Sequence, residues 1–237
     1  SQVDTVFVVP GNAGSATEPG VKNVDLDTGD FAALTDFAKS NAVGLTIIGP
    51  EAPLVDGIVD YFQAQNLECF GPSKGAAQLE GSKAFTKDFL ARHNIPSAAY
   101  QNFTDVEPAI AYVKEQGTPI VIKADGLAAG KGVIIAQSQE EAETTIRDML
   151  SGNSFGEAGH LVVIEEFMQG EEASFIALVD GSHHLLTTVC GRISTGEVTW
   201  PWFKIAAGNG LCITTITMTK ITMAVIEDST LLYILRT

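Results

Sequence analysis

Positive charge is scarce in this chain. Only 14 lysines and arginines stand against 29 aspartates and glutamates, for a formal net charge of −15. That balance excludes a broad electrostatic footprint for nucleic acid or for an anionic membrane, both of which require a basic face. Any site for a phosphorylated ligand must then be a local positive island. Cysteine is also rare: Cys69, Cys190 and Cys212 are widely spaced and form no CxxC pair. This argues against a disulfide framework or a zinc centre and for free thiols in a reducing compartment. No basic stretch leading into an apolar run follows Ser1, and the most apolar tail segment, Leu211–Ile226, is interrupted by threonines and by Lys220. Neither a signal peptide nor a membrane span is expected, and the expectation is a cytoplasmic protein.

What is present is globular in composition. With 237 residues, 45% hydrophobic and 18% charged, the chain is long enough for two compact units with buried cores. Thr5–Val9 is a short β-rich run closed by the turn cluster Pro10–Gly14. An α/β unit more often opens with its own strand and helix, so a βα unit is expected to be absent ahead of this run. Asp30 is a candidate N-cap for a helix through Ser40. Leu45–Ile48 and Leu67–Phe70 read as strands, with a helix carrying Val55, Ile58, Val59 and Phe62 between them. This alternation predicts a parallel, doubly wound sheet whose ligand site lies at the carboxyl ends of its strands, where Gly11–Ser15 and Gly49–Leu54 fall. Simple connection is the competing reading of both loops.

A second unit begins near Ser82, which reads as the N-cap of a helix Lys83–His93 with Phe85, Phe89 and Leu90 on its apolar face. Thr104–Glu107 and Ser138–Glu141 are capping-box patterns before two further helices, the first closed by Gly117. Between them lies Pro119–Ala136, PIVIKADGLAAGKGVIIA, two β-rich runs around a Gly- and Ala-rich turn with Lys123 and Lys131 at its ends. A loop so poor in side chains brings backbone N–H groups close to an anion, and phosphate is the natural guest. An ordinary hairpin with solvated lysines is the bland alternative. Leu161–Ile164 is a strand ending in Glu165–Met168, and Glu171 and Glu172 precede another β-run, Ala173–Val179. A nucleoside triphosphate needs cations and N–H donors for its phosphates, an apolar slot with backbone groups for its base, and polar acceptors for its ribose. Lys83, Lys123 and Lys131 are candidates for the first, Glu165–Met168 for the second and Glu172 for the third. Lys123 closes an apolar strand, so its charge must reach a partner or water; solvated surface positions are the competing reading for Lys83 and for the four acids.

Taken together, Gln78–Phe89 (QLEGSKAFTKDF), Ile122–Val133 (IKADGLAAGKGV), Val163–Phe175 (VIEEFMQGEEASF), Pro10–Ser15 and Gly49–Leu54 resemble the phosphoribosylamine–glycine ligase family from about Val3 to Asp180. The resemblance implies α/β and α+β architecture: a Rossmann-like N-terminal domain (1–81) whose first strand is missing, a partial ATP-grasp domain (82–180) and a divergent tail (181–237). It also implies the reaction. ATP phosphorylates the carboxylate of glycine, and the amine of 5-phosphoribosylamine attacks the acyl phosphate. By the same resemblance Lys83, Lys123, Gly126, Gly130, Lys131 and Gly132 contact or cover the ATP phosphates. Glu165, Glu166, Phe167 and Met168 hold the adenine, and Glu172 the ribose. Gly11, Asn12, Ala13, Gly14 and Ser15, with Gly49, Pro50 and Glu51, face the phosphoribosyl substrate. The implied partners are small molecules only, and a monomer is expected.

The family's Mg²⁺ (or Mn²⁺) ligands, on a later Glu/Asn strand, find no match here, so no metal residue is assigned and a weakly active or inactive chain is expected. Another ATP-grasp carboxylate–amine ligase, or a non-catalytic nucleotide-binding module, is the alternative. Composition shifts where the match ends: residues 181–237 hold seven charged residues and eleven threonines. A reading-frame change or an unrelated extension would give such a tail. His183 and His184 read as solvated turn residues, and Trp200–Trp202 as a local apolar cluster.

Overall fold

The computed structural model describes residues 3–126, 132–151 and 160–170, together with the backbone of five later strands between residues 173 and 236. In the first unit the β-branched run Thr5–Val9 forms β1, and Val21–Asn23 forms β2, parallel to it with Val6 opposite Val21. The Asp30 carboxylate accepts from the Ala33 N–H at 2.9 Å and starts α1, Phe31–Ser40, as expected. β3 is Leu45–Ile47, one residue shorter than expected.

The single helix expected next is two: α2, Glu51–Asp56, and α3, Ile58–Ala64. Gly57 separates them with φ +99°, the left-handed conformation that ends one helix and redirects the chain. The apolar spacing keeps its purpose, since Leu54, Ile58, Val59 and Phe62 are buried with Phe7, Val9, Leu34 and Ile48. β4 is reduced to Cys69–Phe70 and runs parallel to β3. α4, Lys74–Gly81, was not legible in the apolar pattern; it starts at Ser73, whose hydroxyl accepts from the Ala76 N–H at 3.4 Å.

The sheet order carries the chief surprise of this unit. The last strand of the chain, β13 (Leu232–Arg236), lies between β1 and β3, giving the order β2-β1-β13-β3-β4. It runs antiparallel to both neighbours, with Ile234 opposite Phe7 on one side and Thr46 on the other. The expected doubly wound parallel sheet is therefore parallel except at its centre. The tail, expected only as a divergent segment outside the resemblance, contributes that central strand.

The second unit opens with α5, Lys83–Arg92, capped by Ser82 as expected. Its inward face differs from the expected one: Phe85 is exposed, and Ala84, Lys87 and Leu90 are buried. β5 is Tyr100–Phe103 and α6 is Val106–Gln116. The box expected at Thr104–Glu107 does not form, because the N-cap is Asp105 and Glu107 is drawn to Arg147 at 3.0 Å. Gly117 closes α6 as expected. The hairpin β6 (Ile120–Ala124) and β7 (Val133–Ala136) pairs Ile120 with Ala136 and Lys123 with Val133. α7, Gln139–Leu150, is capped by the Ser138 hydroxyl, while the Glu141 carboxylate reaches back to the Gln137 N–H at 2.8 Å. β8, Val162–Glu166, completes an antiparallel sheet of order β5-β8-β6-β7.

Successive strand residues point to opposite faces, so this sheet has two different sides. One carries Phe103, Ile120, Ile122, Ala124, Ala136, Val162 and Ile164, buried under Ala109, Ile110 and Val113 of α6 and Ala142, Ile146 and Met149 of α7. The other carries Tyr100, Val121, Lys123, Val133, Ile135, Val163 and Glu165 in adjacent registers. A third, antiparallel sheet has the order β10-β9-β11-β12, built from Ala173–Val179 (β9), His184–Gly191 (β10), Cys212–Thr217 (β11) and Thr222–Ala224 (β12). Among the described residues no helix is long and apolar enough to cross a membrane.

Candidate functional site

The second face of the β5-β8-β6-β7 sheet gathers the charge that the chain otherwise lacks. Lys123 near the end of β6 ion-pairs with Glu165 of β8, Nζ to Oε1 at 2.9 Å. Of the two outcomes expected for a cation closing an apolar strand, a partner or water, the structure shows a partner. The second oxygen of the same carboxylate, Oε2, lies 3.2 Å from Nζ of Lys87 on α5. Lys87 also donates to the Ser97 hydroxyl at 2.6 Å and to the Ala98 carbonyl at 3.1 Å, and its ammonium lies 5.4 Å from the Tyr100 ring centre. The side chains of Lys87 and Glu165 are 7% and 8% exposed, whereas Lys123 is 22% exposed. Burial lowers the pKa of Lys87 below the ordinary lysine value, and the Glu165 carboxylate opposes that shift.

One turn before Lys87, the start of α5 fastens the base of the Gly-rich turn. The Lys83 ammonium donates to the Gly126 carbonyl at 2.7 Å. The Asp125 carboxylate accepts from the Ser82 hydroxyl at 3.0 Å and from the Ala84 N–H at 3.0 Å, where a helix N-terminus favours negative charge. Desolvation lowers the Lys83 pKa; Asp125 opposes the shift, Lys123 adds to it, and Glu80 and Glu51 also favour the charged form. Lys83 and Lys123 thus feel each other's charge, and Glu51 of the first unit acts on the same ammonium. Across the turn, the Ala124 N–H donates to the Gly132 carbonyl at 2.8 Å.

Beside the lysines the face is apolar and open. Val121 is buried, but Val133 and Ile135 of β7 are 42% and 41% exposed, an uncommon condition for two β-branched residues in adjacent same-face positions. Sequence reasoning missed this pair, together with Lys87 and Asp125. The signal for Val133 and Ile135 was available, because the pairing register of the hairpin places them on the Lys123 side. Lys87 gave none, since its spacing from Leu90 reads as a polar interruption of an amphipathic helix.

Next to Glu165, at the carboxyl end of β8, Glu166 is exposed and holds the Ala99 N–H through its Oε2 at 3.3 Å, while Phe167 and Met168 are half-buried. Gly130, Lys131 and Glu172 lie outside the described residues. In the first unit, the loop after β1 is self-bonded: Asn12 Oδ1 accepts from the Ser15 N–H at 2.9 Å, and the Ser15 hydroxyl lies 2.8 Å from both the Asn12 N–H nitrogen and Asn23 Oδ1. Gly11 has φ +82°, and a Cβ there would sit 2.2 Å from Asn23 Cγ, so only glycine fits this turn. Gly49 is buried, Pro50 caps α2 and Glu51 opens it, so both loops lie at carboxyl ends of parallel strands. Ala13 and Gly14 are exposed. Among the described residues no three His, Cys, Asp or Glu side chains converge as a metal site would require.

Two family models match the chain: "Phosphoribosylglycinamide synthetase, N domain" over residues 1–80 and "Phosphoribosylglycinamide synthetase, ATP-grasp (A) domain" over residues 81–192. The second match runs past Asp180, where the motif resemblance ended. A phosphoribosylamine–glycine ligase from Escherichia coli O6:H1 is 69% identical over 183 residues, 77% of this chain and 43% of the relative. One from Yersinia pestis is 68% identical over 182 residues, 77% and 42%. The chain therefore spans about two fifths of the length of these curated relatives. Among solved structures, the phosphoribosylamine–glycine ligase of Thermotoga maritima superposes with a TM-score of 0.63 at 32% identity, covering 76% of this chain and 42% of that one. Biotin carboxylase from Campylobacter jejuni, at 18% identity and a TM-score of 0.57 over 67% of this chain and 36% of that one, shares the fold.

Proposed function

The chain belongs to the phosphoribosylglycinamide synthetase family, and from that premise we propose that the lysine-bearing face of its β5-β8-β6-β7 sheet binds ATP for the ligation of glycine to 5-phosphoribosylamine. The observation that carries the reading is that Lys83, bonded to the Gly126 carbonyl just past β6, and Lys123, opposite Val133, stand at one end of the sheet beside the exposed apolar pair Val133 and Ile135. Cations within reach of each other repel unless an anion joins them, and a polyphosphate satisfies both. The apolar pair offers a flat base a surface that leaves water on contact.

Lys123 is held by one carboxylate oxygen and is partly exposed, and among the described residues its remaining N–H groups have no further partner, so in this reading they meet a phosphate. Lys83 exchanges the Gly126 carbonyl for a phosphate oxygen when nucleotide enters. Both Glu165 oxygens are engaged, so in this reading the adenine is met by main-chain groups along Glu165–Met168 rather than by that carboxylate. Gly11–Ser15 and Gly49–Glu51 face the phosphoribosyl group, Gly126, Gly130, Lys131 and Gly132 cover the phosphates, and Glu172 meets the ribose. Phosphoryl transfer is chiefly positioning and charge neutralisation, and these groups supply both for the nucleotide. The described residues do not fit a divalent metal, and no step is assigned to one.

The test is turnover by the purified 237-residue chain with glycine, 5-phosphoribosylamine, ATP and Mg²⁺. ATP binding with little or no glycinamide ribonucleotide formed is expected. Full ligase turnover would show that the metal-binding half of the site is supplied within this chain, and no ATP binding would overturn the reading.

A further inference from the structure

Lys87 is a buried cation for which the nucleotide reading has no use. It shares the inward face of α5 with Lys83, four residues earlier, but its circumstances are opposite. All three N–H donors of its ammonium have acceptors: Glu165 Oε2 at 3.2 Å, the Ser97 hydroxyl at 2.6 Å and the Ala98 carbonyl at 3.1 Å. With 7% of its side chain exposed it has no donor left for a ligand. Lys123, on the other side of the same carboxylate, has a single partner among the described residues and stands partly open.

We propose that Lys87 is a positioning residue that divides the Glu165 carboxylate between two ammonium groups, so that Lys123 is aimed by one oxygen and keeps its charge for a phosphate. The proposal rests on the nucleotide reading of this face. Glu165 carries one negative charge and meets two positive ones, so the trio is net cationic. Its buried end is the saturated Lys87, and its open end is Lys123. A Glu165 paired with Lys123 alone would form a neutral couple. Both oxygens would turn to the one ammonium, which would lose the orientation and the field that an anion needs. The low dielectric of the buried carboxylate makes this partition matter, because attraction that solvent would screen at the surface is retained inside.

The experiment compares ADP and adenosine binding, by calorimetry, in the full chain and in Lys87→Met, with thermal melts to establish that each variant is folded. If Lys87 acts through Lys123, ADP affinity falls on the order of tenfold while adenosine affinity stays within about twofold, since charge-assisted contacts to phosphate are lost and base contacts are not. Unchanged ADP affinity, or a parallel fall for ADP and adenosine, overturns the proposal.

A Lys87→Met chain that does not fold is replaced by the pair Glu165→Gln and Lys87→Met/Glu165→Gln, in which no buried carboxylate is left for Lys87 to restrain. Equal ADP affinity in that pair supports action through Glu165, and a tenfold difference contradicts it. Should the unaltered chain fail to bind ADP, the nucleotide reading falls. The positioning claim is then judged by NMR of ¹⁵N-labelled lysine side chains. A displaced Lys123 ammonium signal in Lys87→Met supports it, and an unmoved signal refutes it.

Discussion

Burial changes the chemistry of Cys69 more than its place in a short strand indicates. Desolvation pushes its thiol from 9.0 up to about 12. The folded chain therefore keeps a proton that the unfolded chain releases above about pH 9, and this group's contribution to stability falls as pH rises from about 9 to 12. Comparing denaturant unfolding of the chain with that of Cys69→Ala across this range isolates the effect. The stability difference should move steadily against the unaltered chain as pH rises, and a pH-independent difference would refute the burial argument. The same scale shows what one residue can and cannot disclose. That Lys123 must reach a partner or water was legible, because a charge ending an apolar strand cannot be left bare. Which acid would answer, and that a second lysine would share it, depended on β8 lying beside β6 and on α5 packing against β8, which bring Glu165 to Lys123 and to Lys87 from far along the chain.

Elements with local punctuation were legible. Asp30, Ser82 and Ser138 cap the helices their spacing announced, because a cap is a contact between residues three apart. Ser138→Ala should lower stability by about 1 kcal/mol through loss of the hydroxyl bond to the Glu141 N–H, measured by thermal or urea denaturation. No measurable change would mean that the Glu141–Gln137 contact alone holds the start of α7. Thr104–Glu107 shows how such a signal fails. The pattern is correct, but an arginine on α7 takes the glutamate that the box requires. Gly57 fails in the opposite direction, since apolar spacing continues across it while its backbone turns left-handed. Periodicity records which residues are buried and is silent about a single reversed φ angle.

At the scale of the whole molecule, the sheet order was the least legible feature. The parallel alternation of the first unit and the hairpin-centred second unit followed from the sequence and agree with the family matches. The pairing of β1 with β13 joins residues 5–9 to residues 232–236, and no local pattern announces a contact of that separation. A strand between β1 and β3 satisfies backbone donors and acceptors on both of them, which gives the tail a structural purpose. Deleting residues 231–237 should therefore strip hydrogen-exchange protection from the amides of β1 and β3 while leaving those of β6 and β8 protected. Equal protection in the shortened chain would contradict this role for β13.

In the proposed site Lys83 and Lys123 receive the phosphates of a nucleotide, and titration calorimetry of ADP against the chain and its Lys83→Met and Lys123→Met variants examines each ammonium in turn. Each charge-assisted phosphate contact is worth about 1.5–3 kcal/mol, so each substitution should weaken ADP at least about tenfold with adenosine little changed. ADP binding that is absent from the unaltered chain, or undiminished in both variants, would contradict the account.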